Sequence, residues 1–150
     1  MIPLQASEHG AAVVQMPVID ATAESLREYG CFIGTDVPHA GLAIPFYKGS
    51  VIEGRNLDFA YTGRAVIRTA QIHRRSNEVT WLERHVNMTQ VFVGLGDAAF
   101  VMVLGKPTHA RGIPLPELAD VKAFRFPAAH GIMLHRGTWH DFPMAWNAPV

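Results

Sequence analysis

Two stretches of the chain concentrate residue types that ligate metals and move protons. The first is Trp81-Leu82-Glu83-Arg84-His85-Val86-Asn87-Met88-Thr89-Gln90, and the second is Leu134-His135-Arg136-Gly137-Thr138-Trp139-His140. Glu83 and His85 are two residues apart. On an extended strand such residues share one face, so a carboxylate and an imidazole can converge on one point. Gln90 begins the next apolar run and can close on the same point. His135 ends one predicted strand, and His140 begins the approach to the next. The chain has eight histidines. His9, His39, His109 and His130 are scattered and read as surface or loop residues, while His73 ends a predicted strand.

These residues need a frame. Met1 to Val18 reads as an extended arm. A helix of about two and a half turns follows: Asp20 and Thr22 can each cap it, Glu24 sits in its first turn and Gly30 closes it, with Leu26 and Tyr29 on the buried side. Strand-like runs come next, at Cys31–Gly34, Gly41–Phe46, Ser50–Glu53, Ala65–His73, Thr89–Gly94, Ala98–Leu104, Val121–Phe126, Ile132–His135 and Pro143–Trp146. In Ala65–His73 the alternation puts Thr69, Gln71 and His73 on one face, as in a strand lining a polar interior. Leu95-Gly96-Asp97 reads as a hairpin turn, and Pro114–Ala119 as a single helical turn. Short strands at this spacing, with little helix, predict an antiparallel sandwich or barrel.

The composition narrows the function. A chain of 150 residues fits one domain, 1–150. Apolar residues make up 49% and charged residues only 17%, which excludes a disordered chain. Thirteen basic residues balance thirteen acidic ones. A general nucleic-acid binder or an anionic-membrane binder needs a basic excess, and the pairs Arg64/Arg68 and Arg74/Arg75 are too small to supply one. The single cysteine, Cys31, excludes an internal disulfide and a cysteine zinc ribbon, and is read as a buried structural thiol. No apolar run approaches the ~20 residues of a membrane helix, and the N-terminus carries no signal-peptide pattern. A cytoplasmic protein is expected.

The spacing Glu83-x-His85-x4-Gln90, followed by Pro127, Gly131 and His135, is similar to the two motifs of the cupin barrel, with Glu and Gln in place of the usual His and Glu. A narrower likeness is more specific. Leu82-Glu83-Arg84-His85 with Thr89-Gln90, and His135-Arg136-Gly137-Thr138-Trp139-His140, resemble the two signatures of the ureidoglycolate lyase family. Ser25-Leu26-Arg27-Glu28-Tyr29-Gly30 resembles its N-terminal helix and turn. The sequence departs from that pattern at Val86-Asn87-Met88, where the family has Pro-Leu-Gly. It departs again at Met133-Leu134, where an Asn-Tyr pair is common, and at Asp141-Phe142-Pro143, where the family has His-Pro. The family pattern also runs on through a final strand and tail, so a trimmed chain or a strand supplied differently is expected at Val150.

The resemblance implies an all-β, cupin-like antiparallel barrel or jelly roll with one short N-terminal helix. It implies cleavage of ureidoglycolate, a 2-hydroxy acid, to glyoxylate and urea in allantoin degradation. A divalent metal, often nickel, and a homodimer go with it. On this reading Glu83, His85, Gln90 and His135 are the metal ligands, and zinc, manganese or iron suit the same donors. His140 is the general base or acid, with Glu83 competing for that role. Arg136, Arg84 and Arg68 form the carboxylate clamp, Arg136 counting also as a catalytic charge, and Trp139 is a substrate contact. Two other readings stay open: a metal-dependent cupin oxygenase or isomerase, and a non-catalytic cupin that binds a small acid.

Overall fold

In the computed structural model the described residues are 2–3, 13–34 and 48–150. The predicted strand Gly41–Phe46 and most of the N-terminal arm lie outside them. The strands are β1 (Ile2–Pro3), β2 (Val13–Val14), β3 (Val18–Asp20), β4 (Gly30–Ile33), β5 (Gln90–Val93), β6 (Phe100–Gly105), β7 (Val121–Phe126), β8 (Gly131–Leu134), β9 (Trp139–His140) and β10 (Met144–Ala145). A single α-helix, α1 (Ala23–Leu26), lies among the described residues.

Two sheets carry the architecture. One is five-stranded, with β10, β6, β7 and β3 side by side and β9 also paired to β6; the other is three-stranded, in the order β4, β8, β5. β1 and β2 form a small separate pair. The molecule is thus mostly strand, in two sheets with one short helix, as an all-β cupin-like fold requires. One pairing departs from the antiparallel expectation: β3 runs parallel to β7, Val18 opposite Ala123.

Alternation builds the core. From β6, Phe100, Met102 and Leu104 point between the sheets, where they meet Phe124 and Phe126 of β7, Ile132 and Leu134 of β8, and Leu26 and Tyr29. Val101 and Val103 point the other way, into a second cluster with Val79, Val121, Ala123 and Met144. Burial on both faces explains why β6 reads as an unbroken apolar run.

Several local expectations are corrected. The helix is one turn long. Thr22 caps it by accepting from Ser25 N at 3.0 Å, and Ser25 Oγ accepts in return from Thr22 N at 3.0 Å. The chain then tightens, with Tyr29 N donating to Leu26 O, and Gly30 opens β4 instead of ending a helix. A Cβ on Gly30 would lie 2.4 Å from Met133 O, so the glycine is required by strand approach. Leu95-Gly96-Asp97 is no hairpin: β5 pairs with β8 and β6 with β7, so this turn crosses between sheets. Ser50–Glu53 and Ala65–His73 form no strands, and Arg64 to Gln71 are exposed throughout. Near the end of that stretch Ile72 exchanges backbone hydrogen bonds with Val150, at 2.7 and 3.0 Å. Alternation gives a strand only where a partner edge is available. The helical turn expected at Pro114–Ala119 is a 3-10 turn at Leu118–Asp120. Cys31 is free and only partly buried, because it lies on the outer face of β4.

Candidate functional site

The site is organised by one short pairing. β9 lies against β6, with His140 opposite Leu104 and Trp139 opposite Gly105. On its other edge His140 pairs with Glu83: Glu83 N donates to His140 O at 2.9 Å and His140 N to Glu83 O at 2.8 Å. The two-residue period of extended chain then sorts the side chains. Glu83, His85 and His140 go to one side. Arg84 and Trp139 go to the other.

On the first side the polar atoms converge. Glu83 Oε1 is 3.8 Å from His85 Nε2 and 3.9 Å from His140 Nδ1. The two imidazole rings are 5.4 Å apart. One ligand atom from each of the three residues falls within 4.8 Å of the others. His140 is only 1% exposed, and among the described residues neither of its ring nitrogens has a well-formed hydrogen bond. Burial pushes its pKa below the ordinary histidine value; nearby His85 acts in the same direction, while Glu83 opposes. A neutral imidazole, with a lone pair on one ring nitrogen, is the form that binds metal or accepts a proton. Phe92, from the facing sheet, meets the His140 ring edge-on at 5.7 Å and also touches Phe142 at 6.3 Å. Gln90 projects from the same face of β5 as Phe92, and its buried Oε1 has no partner among the described residues.

These groups fit a divalent cation. A carboxylate and two imidazoles are a common donor set, and buried polar atoms without partners are otherwise rare.

The other side is closed. Thr108 Oγ1 accepts from Arg84 Nη1 at 2.8 Å and from Trp139 Nε1 at 3.0 Å, and donates to Ile113 O at 3.0 Å. That uses both lone pairs and the proton of the hydroxyl. Arg84 also donates to Ile113 O at 3.2 Å, and its guanidinium lies 4.4 Å from the centroid of the Trp139 ring.

Two expected substrate contacts, Arg84 and Trp139, are therefore engaged within the protein on the far side of the pairing. Arg136 is exposed on the turn after β8, and Arg68 is exposed in the extended stretch. Neither makes a hydrogen bond or ion pair with another described residue. His135, expected as the second imidazole ligand, is directed elsewhere. Its Nε2 donates to Arg27 O at 3.0 Å, and its backbone N–H donates to Tyr29 O at 3.0 Å. The physical cause is the turn that starts at His135, closed by Thr138 N donating to His135 O and by Gly137 at φ +81°. It carries the chain from β8 to β9, and the imidazole that reaches Glu83 and His85 is His140.

Sequence reasoning missed Thr108, Phe92 and the Arg75–Asp141 pair. Asp141 is buried beside His140 and is neutralised by Arg75 Nη2 at 2.7 Å. The sequence shows Asp141 next to His140 but not its burial, and it is the burial that demands a covering cation.

With the geometry in place, comparison with known proteins is informative. Residues 17–150 match the model of the ureidoglycolate lyase family. This chain belongs to that family. Curated relatives named ureidoglycolate lyase are 38% identical over 66 residues in Salmonella enteritidis PT4 (strain P125109) and 37% identical over 66 residues in Salmonella paratyphi B (strain ATCC BAA-1250 / SPB7). In each case the match covers 44% of this chain and 38% of the relative, so it spans well under half the length of those proteins. In this member of the ureidoglycolate lyase family, no helix among the described residues is long and apolar enough to cross a membrane.

Proposed function

We propose that the chain is a ureidoglycolate lyase that works as one domain, with Glu83, His85 and His140 holding a divalent metal. The observation that carries this reading is the convergence of those three ligand atoms within 4.8 Å, in a chain of this family. Ureidoglycolate carries a hydroxyl and a ureido nitrogen on the carbon next to its carboxylate. Loss of the hydroxyl proton lets that oxygen become a carbonyl while the C–N bond breaks. The departing nitrogen takes a proton, giving glyoxylate and urea.

A divalent ion held by Glu83, His85 and His140 would supply Lewis-acid chemistry toward a 2-hydroxy acid. The protein's own groups do the rest. His140 is kept neutral by burial and so offers a lone pair. Glu83 directs Oε1 at both imidazoles. Its Oε2 makes no hydrogen bond to another described residue, and it takes the hydroxyl proton and returns it to the departing nitrogen. Phe92 covers one side of the His140 ring. Gln90, expected as a fourth ligand, lies on the same face of β5 as Phe92. On this reading His135, bonded to Arg27 O, is left out of the ligand set, and Arg136 and Arg68 are surface cations.

We further propose nickel as the working metal, a homodimer as the working form and the cytoplasm as its place. The exposed apolar residues Val91 and Val93 on β5, at the edge of its sheet among the described residues, support the dimer. The lone free cysteine supports a reducing compartment.

The test is to strip the protein of metal, restore nickel, manganese, zinc or iron in turn, and assay glyoxylate and urea from ureidoglycolate. Equal amounts of both products, formed under argon, are expected with at least one metal. No turnover with any of them would overturn the proposal, and strict dependence on oxygen would point to an oxygenase.

A further inference from the structure

We propose that Gln90 reads the ureido group of the substrate and so determines the specificity of the site; the inference rests on the lyase reading above. Gln90 opens β5 opposite Leu134 of β8, and Phe92 lies two residues on, opposite Ile132. Their side chains share a face. The Phe92 ring touches His140, with centroids 5.7 Å apart. The Gln90 carboxamide therefore stands on the face of β5 that Phe92 turns toward His140, one pleat further along the strand. Its Oε1 is buried and has no hydrogen-bond partner among the described residues. Buried amide oxygens are normally paired, and an orphan on the strand face turned toward a cluster of ligand atoms is a place for a donor from a ligand.

The chemistry of the amide selects the donor. The neighbouring trio already offers a carboxylate and two imidazoles, to which a neutral carbonyl oxygen adds little as a metal ligand. A carboxamide instead presents an acceptor and two N–H donors in one plane. A ureido group presents the complement, a carbonyl flanked by N–H groups. Oε1 accepts from a ureido N–H and Nε2 donates to the ureido carbonyl, which satisfies the orphan oxygen and holds the urea portion as it departs. The neutrality of Gln90 matters, because a carboxylate here would place a second negative charge facing a substrate that is itself an anion.

Three small acids test this by calorimetric titration into the metal-loaded protein. N-carbamoylglycine carries the carboxylate and the ureido group. N-acetylglycine replaces the terminal amine by a methyl group. Glycolate keeps the carboxylate and hydroxyl and has no ureido group. The wild-type protein is expected to bind N-carbamoylglycine about tenfold or more tightly over N-acetylglycine, the scale of one buried hydrogen bond. Gln90→Met should abolish that preference while changing the affinity for glycolate and for the metal by less than about twofold. If Gln90→Met does not fold, Gln90→Asn, which keeps an amide but withdraws it by one methylene, makes the same comparison and should lose the preference. Equal binding of the two acyl glycines by the wild type would overturn the role of Gln90 and leave the lyase reading standing. A parallel loss of metal, glycolate and N-carbamoylglycine binding in Gln90→Met would also overturn it, assigning the residue to the ion. Failure of the wild type to bind any of the acids would overturn the lyase reading and this role together.

Discussion

The two faces of the Glu83–His140 pairing are made from adjacent residues of the same short segments, yet they differ in kind. On one face Thr108 links Arg84 and Trp139, its single hydroxyl accepting twice and donating once, so that hydroxyl and the indole N–H are both satisfied. On the other, His140 is as deeply buried as Thr108, at 1% exposure, but among the described residues both of its nitrogens lack a well-formed hydrogen bond, and so does Gln90 Oε1. Proteins fold by satisfying buried polar groups, so a satisfied cluster reads as scaffold and an unsatisfied one as a place kept for a ligand. Burial alone would not have separated them.

The contrast can be broken by experiment. The largest effect is expected from His140→Gln, which removes an imidazole from the open face. It should lower kcat/KM for ureidoglycolate by about 10²–10⁴-fold and abolish retention of metal through gel filtration. Unchanged metal content would remove His140 from the site.

Thr108→Val strikes the closed face. It leaves the Trp139 indole without an acceptor and Arg84 with only Ile113 O, and should cost about 1–3 kcal/mol in denaturant unfolding. Thr108→Ser should recover most of that stability. If Thr108→Val depleted metal without loss of stability, the separation of the two faces would be wrong.

Acid should act through the open face in the metal-free protein. The pKa of His140 is lowered on folding. The unfolded chain therefore takes up a proton near pH 6.5 that the folded chain refuses until lower pH. Below about 6.5 the unfolded state binds more protons, so stability declines as pH falls; above it this group contributes nothing. Thermal melts between pH 7.5 and 5 should show the decline, and His140→Gln should flatten it. The smallest effects belong to exposed residues on neither face: Arg136→Ala and Arg68→Ala should each change stability by less than about 0.5 kcal/mol and leave turnover within about twofold.

Much of this was legible in the sequence. The spacing of Glu83 and His85 gave their shared direction, because a strand returns to the same face every two residues. The same period puts Arg84 opposite them and Trp139 opposite His140, a signal the sequence carries but one outweighed by the lure of charge and aromaticity near a site. The displacement of His135 was not legible. It depends on a turn closing at Thr138 and on carbonyls of Arg27 and Tyr29, more than a hundred residues away. The strand expected at Ala65–His73 failed for a similar reason, since alternation records which faces a strand would have and says nothing of whether an edge is free to receive it. Gly30 was seen as a stop signal, whereas its use is to let β4 approach Met133 closely.

The most direct test of the central claim is a metal titration of the chelated wild-type protein alongside Glu83→Gln, His85→Gln and His140→Gln, followed by calorimetry and elemental analysis. The account predicts a single tight divalent ion per wild-type chain, with restored release of glyoxylate and urea, and affinity reduced at least about 10²-fold in each variant, beyond the 10–100-fold typical of outer-shell changes. Full metal affinity in all three variants, or turnover indifferent to chelation, would contradict it.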